Sequence, residues 1–207
     1  MIRKIKLTDI TPAEIERELS FVRGSSLLAA EIVETDYDVE LSCEVNEQNR
    51  LVYGEVLRAL AEFVYTDTDQ TPFERLADIC DVRGIRVGFV EQGSAGLISA
   101  KMLAFDGFEN SLCVSFVFGK IEQMKSYFEN SNEKEIAKCV EKSANLDAVV
   151  VTTADFESNP LVPTVCKVVV LANGLVETKV YQILGNKEQV SNKLAFLATC
   201  LLDKIIF

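Results

Sequence analysis

Residues 90–96 read VEQGSAG and separate an alternating apolar stretch, IRVGFV, from a second apolar stretch, LISAKMLAF. This pattern predicts a strand, a tight turn and a helix, a junction where backbone N–H groups and the positive end of a helix dipole converge. The small residues Gly93, Ser94, Ala95 and Gly96 would let a phosphate or carboxylate approach the backbone closely. The Ser94 hydroxyl also offers a nucleophile. Turns of small residues equally serve tight packing of a helix on a strand, so ligand binding, chemistry and packing stay open here.

The chain contains no histidine, which limits the chemistry available to this turn. Ser-His-Asp and Cys-His catalysis and histidine-containing zinc sites are excluded, which leaves carboxylates, lysine, tyrosine, serine and threonine for acid–base or nucleophilic roles. The six cysteines are scattered without a Cys-x-x-Cys pair, and we expect them to be buried free thiols. No metal site and no cofactor are predicted.

Residues 68–207 must position the turn, and their pattern alternates strands with helices. Helices are predicted at 72–82, 95–105 and 119–128, in the charged segment NSNEKEIAKCVEKS, and from Asn186 onward. Strands are predicted at 84–91, 111–118 and 147–153. The run DAVVVTT is typical of a strand covered on both faces. Asn173-Gly174 predicts a type I′ hairpin turn, so the sheet is mixed. The prediction is an α/β fold: a three-layer α/β/α domain in which the strand ends at 118–120 and 152–158 lie near the turn.

Residues 1–67 predict a separate, smaller α+β domain of βαββα order. The expected elements are a strand at 2–7, a helix at 12–22, strands near 26–33 and 37–45, and a long helix at 47–64. The sequences TPAE at 11–14 and TPFE at 71–74 each predict a helix start, with threonine as N-cap, proline in the first turn and a capping glutamate. The polar stretch YTDTDQ at 65–70 predicts a hinge between the two domains.

The net charge of −11 is concentrated in the first domain. Residues 1–67 hold fourteen acidic and seven basic side chains, and residues 31–47 hold seven acidic side chains and no basic one. A surface that binds a nucleic-acid backbone needs the opposite sign, so no nucleic-acid partner is expected. The simplest account of the acidic run is a solvated face.

No run of eighteen apolar residues occurs, and the N-terminal sequence becomes charged before a signal-like apolar core can form. We therefore expect a soluble, cytoplasmic protein with no membrane partner.

The segments taken in order resemble the competence-damage-inducible protein (CinA) family. The resemblance rests on FVYTDTDQTPFERLADICDVRGIRVGFVEQGSAGL, SFVFGKIEQMKSYF, LDAVVVTT and VVVLANGLVETKVYQILGNKEQVSNKLAFLATCLLD. The second domain resembles the CinA C-terminal domain, whose characterised members are nicotinamide mononucleotide deamidases. The first resembles the small KH-like domain that precedes it, but residues 1–67 lack the Gly-x-x-Gly loop that clamps nucleic acid in KH domains. The resemblance implies a homodimer.

The resemblance also identifies where the active-site turn would lie. The family's turn reads Ala-Glu-Ser-Cys-Thr-Gly-Gly, with the serine proposed as the nucleophile. Aligned with residues 90–96, Glu91 and Gly96 match, and the serine falls on Gln92, whose carboxamide cannot attack. Ser94 falls on the family's threonine.

Other positions implied by the resemblance are changed too. A family segment that supplies a tyrosine and a lysine falls on residues 118–123, where Phe118 lacks the hydroxyl and Gln123 lacks the amine. The following family turn keeps only Thr153 among residues 153–158, and Glu157 adds a negative charge. A late arginine becomes Lys187, which keeps the charge without the guanidinium fork.

Three hypotheses follow. In the first, the protein has the deamidase fold without its catalysis and retains binding of a small nucleotide or phosphate-bearing ligand, with residues of the turn, Phe118, Gln123, Thr153 and Lys187 lining the site. In the second, it is an active amidohydrolase that uses Ser94 as nucleophile and Lys120 or Lys125 as base; the competing role for Ser94 is an N-cap hydroxyl of helix 95–105. In the third, the acidic first domain binds a basic protein.

Overall fold

The computed structural model describes residues 1–129, 132–157 and 159–206, and the chain divides into two compact units, Met1–Gln70 and Thr71–Phe207. The first unit holds strands β1 to β4 and helices α1 and α2. In chain order they are β1 (Ile2–Leu7), α1 (Pro12–Phe21), β2 (Glu31–Glu34), β3 (Val39–Glu44), α2 (Arg50–Ala59) and β4 (Val64–Thr66). The sheet order is β2-β3-β1-β4, and all neighbours are antiparallel.

The first unit departs from the predicted βαββα order in three places. Residues 25–28 form a 3₁₀ turn rather than the start of a strand, because Gly24 and Ala29 on either side of it are left-handed. Helix α2 begins at Arg50 because the Asn46 side-chain oxygen accepts from the N–H groups of residues 48 and 49 and holds a turn there. The predicted long helix also ends early, and Val64–Thr66 instead pairs with β1 as a fourth strand. The corrected order is βαββαβ.

The second unit contains a five-stranded mixed sheet. Its elements are α3 (Pro72–Arg83), β5 (Val87–Glu91), α4 (Leu97–Met102), β6 (Leu112–Val117), α5 (Ile121–Tyr127), α6 (Glu133–Ala144), β7 (Ala148–Asp155), β8 (Thr164–Ala172), β9 (Leu175–Ile183) and α7 (Lys187–Ile206). The sheet order is β6-β5-β7-β8-β9, with β6, β5 and β7 parallel and β8 and β9 antiparallel. The mixed α/β fold predicted from the sequence is confirmed.

Strand β7 lies at the centre of this sheet, and its residues from Ala148 to Ala154 are all buried. Val149 and Val151 pack with Ile136 of α6 and Met124 of α5 on one face. Helix α7, which contacts β8 and α4, covers the other face. The β-branched run therefore forms a strand buried on both faces, as the sequence predicts.

The capping residues predicted at the starts of three helices form hydrogen bonds there. At the start of α1, the Thr11 hydroxyl accepts from Glu14 N–H and the Glu14 carboxylate accepts from Thr11 N–H, so the capping box is complete. At the start of α3, the Thr71 hydroxyl accepts from Glu74 N–H. At the start of α7, Asn186 and Gln189 exchange the same pair of bonds.

All six cysteines are free, and the expectation that they are buried is wrong for two of them. Cys113 is exposed on β6, an edge strand of the sheet, and Cys139 is exposed on the solvent side of α6. The thiols of Cys80 and Cys166 are buried, which raises the pKa of each to about 12 and leaves them protonated at neutral pH.

Candidate functional site

The turn that joins β5 to α4 is folded tightly against its neighbours. Ala95 and Gly96 both have left-handed backbones, with φ of 55° and 84°, so the predicted helix at 95–105 begins only at Leu97. A Cβ on Gly93 would lie 2.5 Å from Leu194 Cδ2 and 2.8 Å from Ala154 N. Small residues are needed here because helix α7 and strand β7 press directly on the turn.

The Glu91 carboxylate accepts hydrogen bonds from both the turn and the start of α4. Glu91 is fully buried, and its Oε2 accepts from the Ser94 hydroxyl at 2.8 Å and from Ile98 N–H at 2.9 Å. Its Oε1 accepts from the N–H of Ser99 at 2.9 Å and from the Ser99 hydroxyl at 2.5 Å. The two N–H groups belong to the first turn of α4, whose dipole favours a negative charge. Glu91 therefore occupies the place at the helix start where an anionic ligand would bind.

Ser94 is fully buried and takes part in the same network. Its hydroxyl donates to Glu91 and lies 2.7 Å from the Thr152 hydroxyl oxygen. Within the described residues its oxygen has no hydrogen bond with a lysine amine. The N-cap position of α4 is Gly96, so the expected capping role of Ser94 is wrong, because the left-handed Ala95 and Gly96 delay the helix start.

Gln92 bridges two strands. It is only 5% exposed, and its side-chain oxygen accepts from Ala154 N–H at 2.8 Å at the end of β7. Its own N–H donates to Thr152 O at 3.0 Å. Gln92 therefore satisfies a buried backbone donor and fixes the turn to the central strand.

The junction of β6 and α5 carries the other positions implied by the resemblance. Phe118 packs in an aromatic cluster with Phe116, Tyr127 and Phe128, at ring-centroid distances of 5.6 Å to Tyr127 and 5.9 Å to Phe128. Gln123 is exposed, and its side-chain oxygen accepts from Lys120 N–H at 3.1 Å at the start of α5. Phe118 and Gln123 thus have packing and capping contacts.

The two lysines considered as bases also lie at this junction. Lys120 is exposed at the N-cap of α5, and Lys125 is half-buried in its last turn. The positive charge of Lys125 acts on Glu133 at the start of α6.

The sequence did not predict a partly buried ion pair beside Thr153. Thr153 is opposite Lys167 in the ladder between β7 and β8, and Lys167 Nζ donates to Glu133 Oε2 at 2.6 Å. Burial raises the pKa of Glu133, but the hydrogen bond and charge of Lys167 and the charge of Lys125 outweigh burial and leave the pKa below its usual value. The one available signal was a single lysine within the apolar run of β8.

Lys187 lies at the start of α7, close to the loop that follows β7. Its ammonium is 5.1 Å from the centre of the Phe156 ring, a cation–π contact. The side chain is exposed, so its charge remains accessible to solvent. Ser158, which ends the aligned turn at 153–158, lies outside the described residues.

The described residues contain no group of three or more Cys, Asp or Glu side chains placed to hold a metal ion. Among the described helices, none combines the length and the apolar character needed to cross a membrane.

No protein-family model and no curated protein matches the chain. Several solved structures share its fold. A competence or damage-inducible protein from Enterobacter asburiae has a TM-score of 0.58 at 16% identity, covering 67% of this chain and 100% of that one. A CinA superfamily protein from Enterobacter cloacae has the same score and identity and covers 69% and 96% of the two chains. A CinA superfamily protein from Escherichia coli has a TM-score of 0.53 at 14% identity and covers 64% and 88%.

At 14–16% sequence identity, the similarity to these solved structures shows the fold alone. The matched share, about two thirds of the chain, equals the length of the second unit. The resemblance seen in the sequence is therefore confirmed as a likeness of architecture: the chain has the α/β fold of the CinA superfamily structures.

Proposed function

We propose that this protein is a CinA-type domain that does not catalyse amide hydrolysis, and that the turn after β5 is a structural joint. The observation that carries the proposal is that the polar side chains of the turn are already hydrogen-bonded to other groups of the protein. The Ser94 hydroxyl is held by Glu91 and Thr152, and the Gln92 carboxamide is held by Ala154 N–H. Both side chains are buried, so neither presents a group to a substrate.

The chemistry at the aligned positions supports the same proposal. A carboxamide at Gln92 is no nucleophile, and Phe118 has no hydroxyl to move a proton. The Gln123 side-chain oxygen accepts a hydrogen bond from Lys120 N–H, and this side chain carries no charge. Loss of a nucleophile together with its activating groups removes most of the rate enhancement of such a site.

The alternative is an amidohydrolase in which Ser94 is activated by Lys120 or Lys125. A Ser–Lys pair needs no histidine and is chemically sound. The contacts of Ser94 weigh against it, because its oxygen is buried and bonded to a carboxylate, and Lys120 is exposed. A substrate carbonyl could reach Ser94 only if the turn opened and Glu91 lost its bonds to α4.

The proposal includes binding of a small phosphate-bearing ligand at the carboxyl edge of the sheet. Lys187 supplies an exposed positive charge beside an aromatic ring, a combination that suits the phosphate and base of a mononucleotide. Thr153 lies at the same edge, at the end of β7. Glu157 opposes this binding through its negative charge, so a weak affinity is expected.

Two measurements on the purified chain test the proposal. Incubation with nicotinamide mononucleotide, followed by an ammonia assay beside an active deamidase, is expected to show no release above background. Thermal unfolding with nicotinamide mononucleotide and with nicotinamide riboside is expected to show a phosphate-dependent rise in melting temperature that Lys187→Gln removes. Ammonia release at ordinary enzymatic rates would refute the loss of catalysis, and equal melting temperatures with and without the mononucleotide would refute the binding.

A further inference from the structure

A cationic cluster lies at the carboxyl end of the central strand β7, on the face of the sheet that α5 and α6 cover. Thr153 is two residues beyond Val151, which packs on that face, and it lies opposite Lys167 in the ladder with β8, so both side chains point to this face. Lys167 Nζ donates to Glu133 Oε2 at 2.6 Å. Lys125 of α5 belongs to the same cluster, because its charge acts on the Glu133 carboxylate.

This cluster contains one more positive charge than negative charge. The ammonium groups of Lys125 and Lys167 share the single carboxylate of Glu133, and Lys125 has no hydrogen bond or ion pair of its own within the described residues. The next acidic side chain along β7, Asp155, is exposed, so water screens its charge. Both lysines are partly buried, where charges are screened less than at the surface. An anion in contact with both ammonium groups would therefore be stabilised.

The hydroxyl of Thr153 adds a donor that the protein leaves unused. Thr153 is only 4% exposed, and its hydroxyl has no hydrogen bond within the part of the chain that the structure describes. Its oxygen still reaches solvent-accessible space, unlike the fully buried unpaired hydroxyls of Tyr53 and Thr178. Most polar groups in so enclosed a position are hydrogen-bonded, so an acceptor from a ligand fits here.

The donors and the charge of the cluster match a carboxylate. Lys167 uses one of its three N–H donors on Glu133, Lys125 uses none within the described residues, and Thr153 offers its O–H. The two oxygens of a carboxylate accept several such bonds, and its single charge neutralises the excess positive charge. A phosphate monoester carries nearly two negative charges at neutral pH and would leave the cluster negative.

We propose that Lys125, Lys167 and Thr153 form a subsite for the carboxylate of a small ligand, with Glu133 holding Lys167 in place. This subsite rests on the proposed function, since it concerns the same phosphate-bearing ligand and specifies that this ligand also carries a carboxylate. Lys187, which is assigned to the phosphate, lies on a different element, at the start of α7. A ligand with a neutral carboxamide leaves the excess charge uncompensated and should bind more weakly.

Four related ligands separate the carboxylate subsite from the phosphate site. Nicotinic acid mononucleotide and nicotinamide mononucleotide differ in a carboxylate against a carboxamide, and the two corresponding ribosides lack the phosphate. Isothermal titration calorimetry of the full chain is expected to give a dissociation constant about tenfold lower for the acid than for the amide in each pair. Lys187→Gln should weaken both mononucleotides and leave the advantage of the acid unchanged.

Variants of the cluster test which side chains recognise the carboxylate. Lys125→Gln removes the excess positive charge, so the two mononucleotides should then bind within about twofold of each other, with the affinity for the amide unchanged. Thr153→Val removes one donor and should reduce the advantage of the acid about threefold. Lys142→Gln, on an exposed position in the last turn of α6, carries the same change of charge as Lys125→Gln and should alter neither constant.

The outcomes distinguish the carboxylate subsite from the proposed function. Equal binding of acid and amide by the wild type, or an advantage of the acid that Lys125→Gln leaves intact, would overturn the carboxylate subsite. Equal binding of mononucleotides and ribosides would contradict the phosphate site at Lys187 alone, and the carboxylate subsite would stand if the acid riboside still bound more tightly than the amide riboside. Failure of all four ligands to bind would overturn both.

Discussion

Two turns follow neighbouring parallel strands of one sheet and differ in where their polar groups point. After β5, Gln92 is 5% exposed and its carboxamide oxygen accepts from Ala154 N–H on another strand. After β6, Gln123 is exposed and its carboxamide oxygen accepts from Lys120 N–H of its own helix. A glutamine side chain therefore links the turn to a neighbouring strand in the first case and caps its own helix in the second.

The difference teaches that position at the carboxyl edge of a sheet does not make a turn a ligand site. The turn after β5 has an internal anion, Glu91, which accepts the backbone donors of α4 that a ligand would need. The turn after β6 keeps its polar side chains in solvent. Substitutions in the first turn should therefore affect stability strongly, and matched substitutions in the second should not.

The largest expected effect is that of Glu91→Ala. The change leaves two buried N–H groups and two hydroxyls without their acceptor and opens a cavity, so it should lower the free energy of unfolding by about 3–5 kcal/mol. Glu122→Ala, on the exposed first turn of α5, is the control and should stay within about 0.5 kcal/mol. Urea unfolding measures both, and equal effects would contradict the proposed role of Glu91.

Gly93→Ala should have the next largest effect. The added Cβ would overlap with Leu194 and with the backbone of Ala154, so the free energy of unfolding should fall by about 1–3 kcal/mol. The matched change Gly119→Ala, in the turn after β6, meets its nearest atom at 3.5 Å and should cost less than about 0.5 kcal/mol. Equal losses of unfolding free energy in the two variants would contradict the close packing of Gly93 against Leu194 and Ala154.

The smallest of these stability effects concerns the two glutamines. Gln92→Ala leaves the buried Ala154 N–H unpaired and should lower the free energy of unfolding by about 1–2 kcal/mol. Gln123→Ala removes only an exposed cap and should lower it by about 0.5 kcal/mol. Thermal and urea unfolding of both variants compare them directly; a reversed order would show that burial does not distinguish the two turns.

Local signals in the sequence predicted much of this fold. The Thr-Pro-x-Glu starts, the Asn-Gly hairpin and the β-branched run each depend on short-range chemistry that needs no distant contact. Strand β4 is not predictable from the sequence because Val64–Thr66 is only three residues long and is fixed by pairing with β1, which is far away in sequence. The start of α4 was misplaced because the left-handed Ala95 has no signal in its residue type.

The candidate site was less predictable than the fold. That Gln92 cannot be a nucleophile follows from its residue type. That Ser94 is bonded to Glu91 and Thr152 depends on how β5, α4 and β7 meet, and no spacing in the sequence reveals it. The pairing of Lys167 with Glu133 likewise joins residues on different elements.

Ammonia release from nicotinamide mononucleotide, measured for the wild-type chain beside Ser94→Ala, tests the central claim most directly. If Ser94 belongs to a structural joint, both proteins should stay at background, and the variant should lose only about 1–2 kcal/mol of unfolding free energy. Turnover by the wild type that Ser94→Ala abolishes, with the variant still folded, would contradict the account and establish Ser94 as the nucleophile.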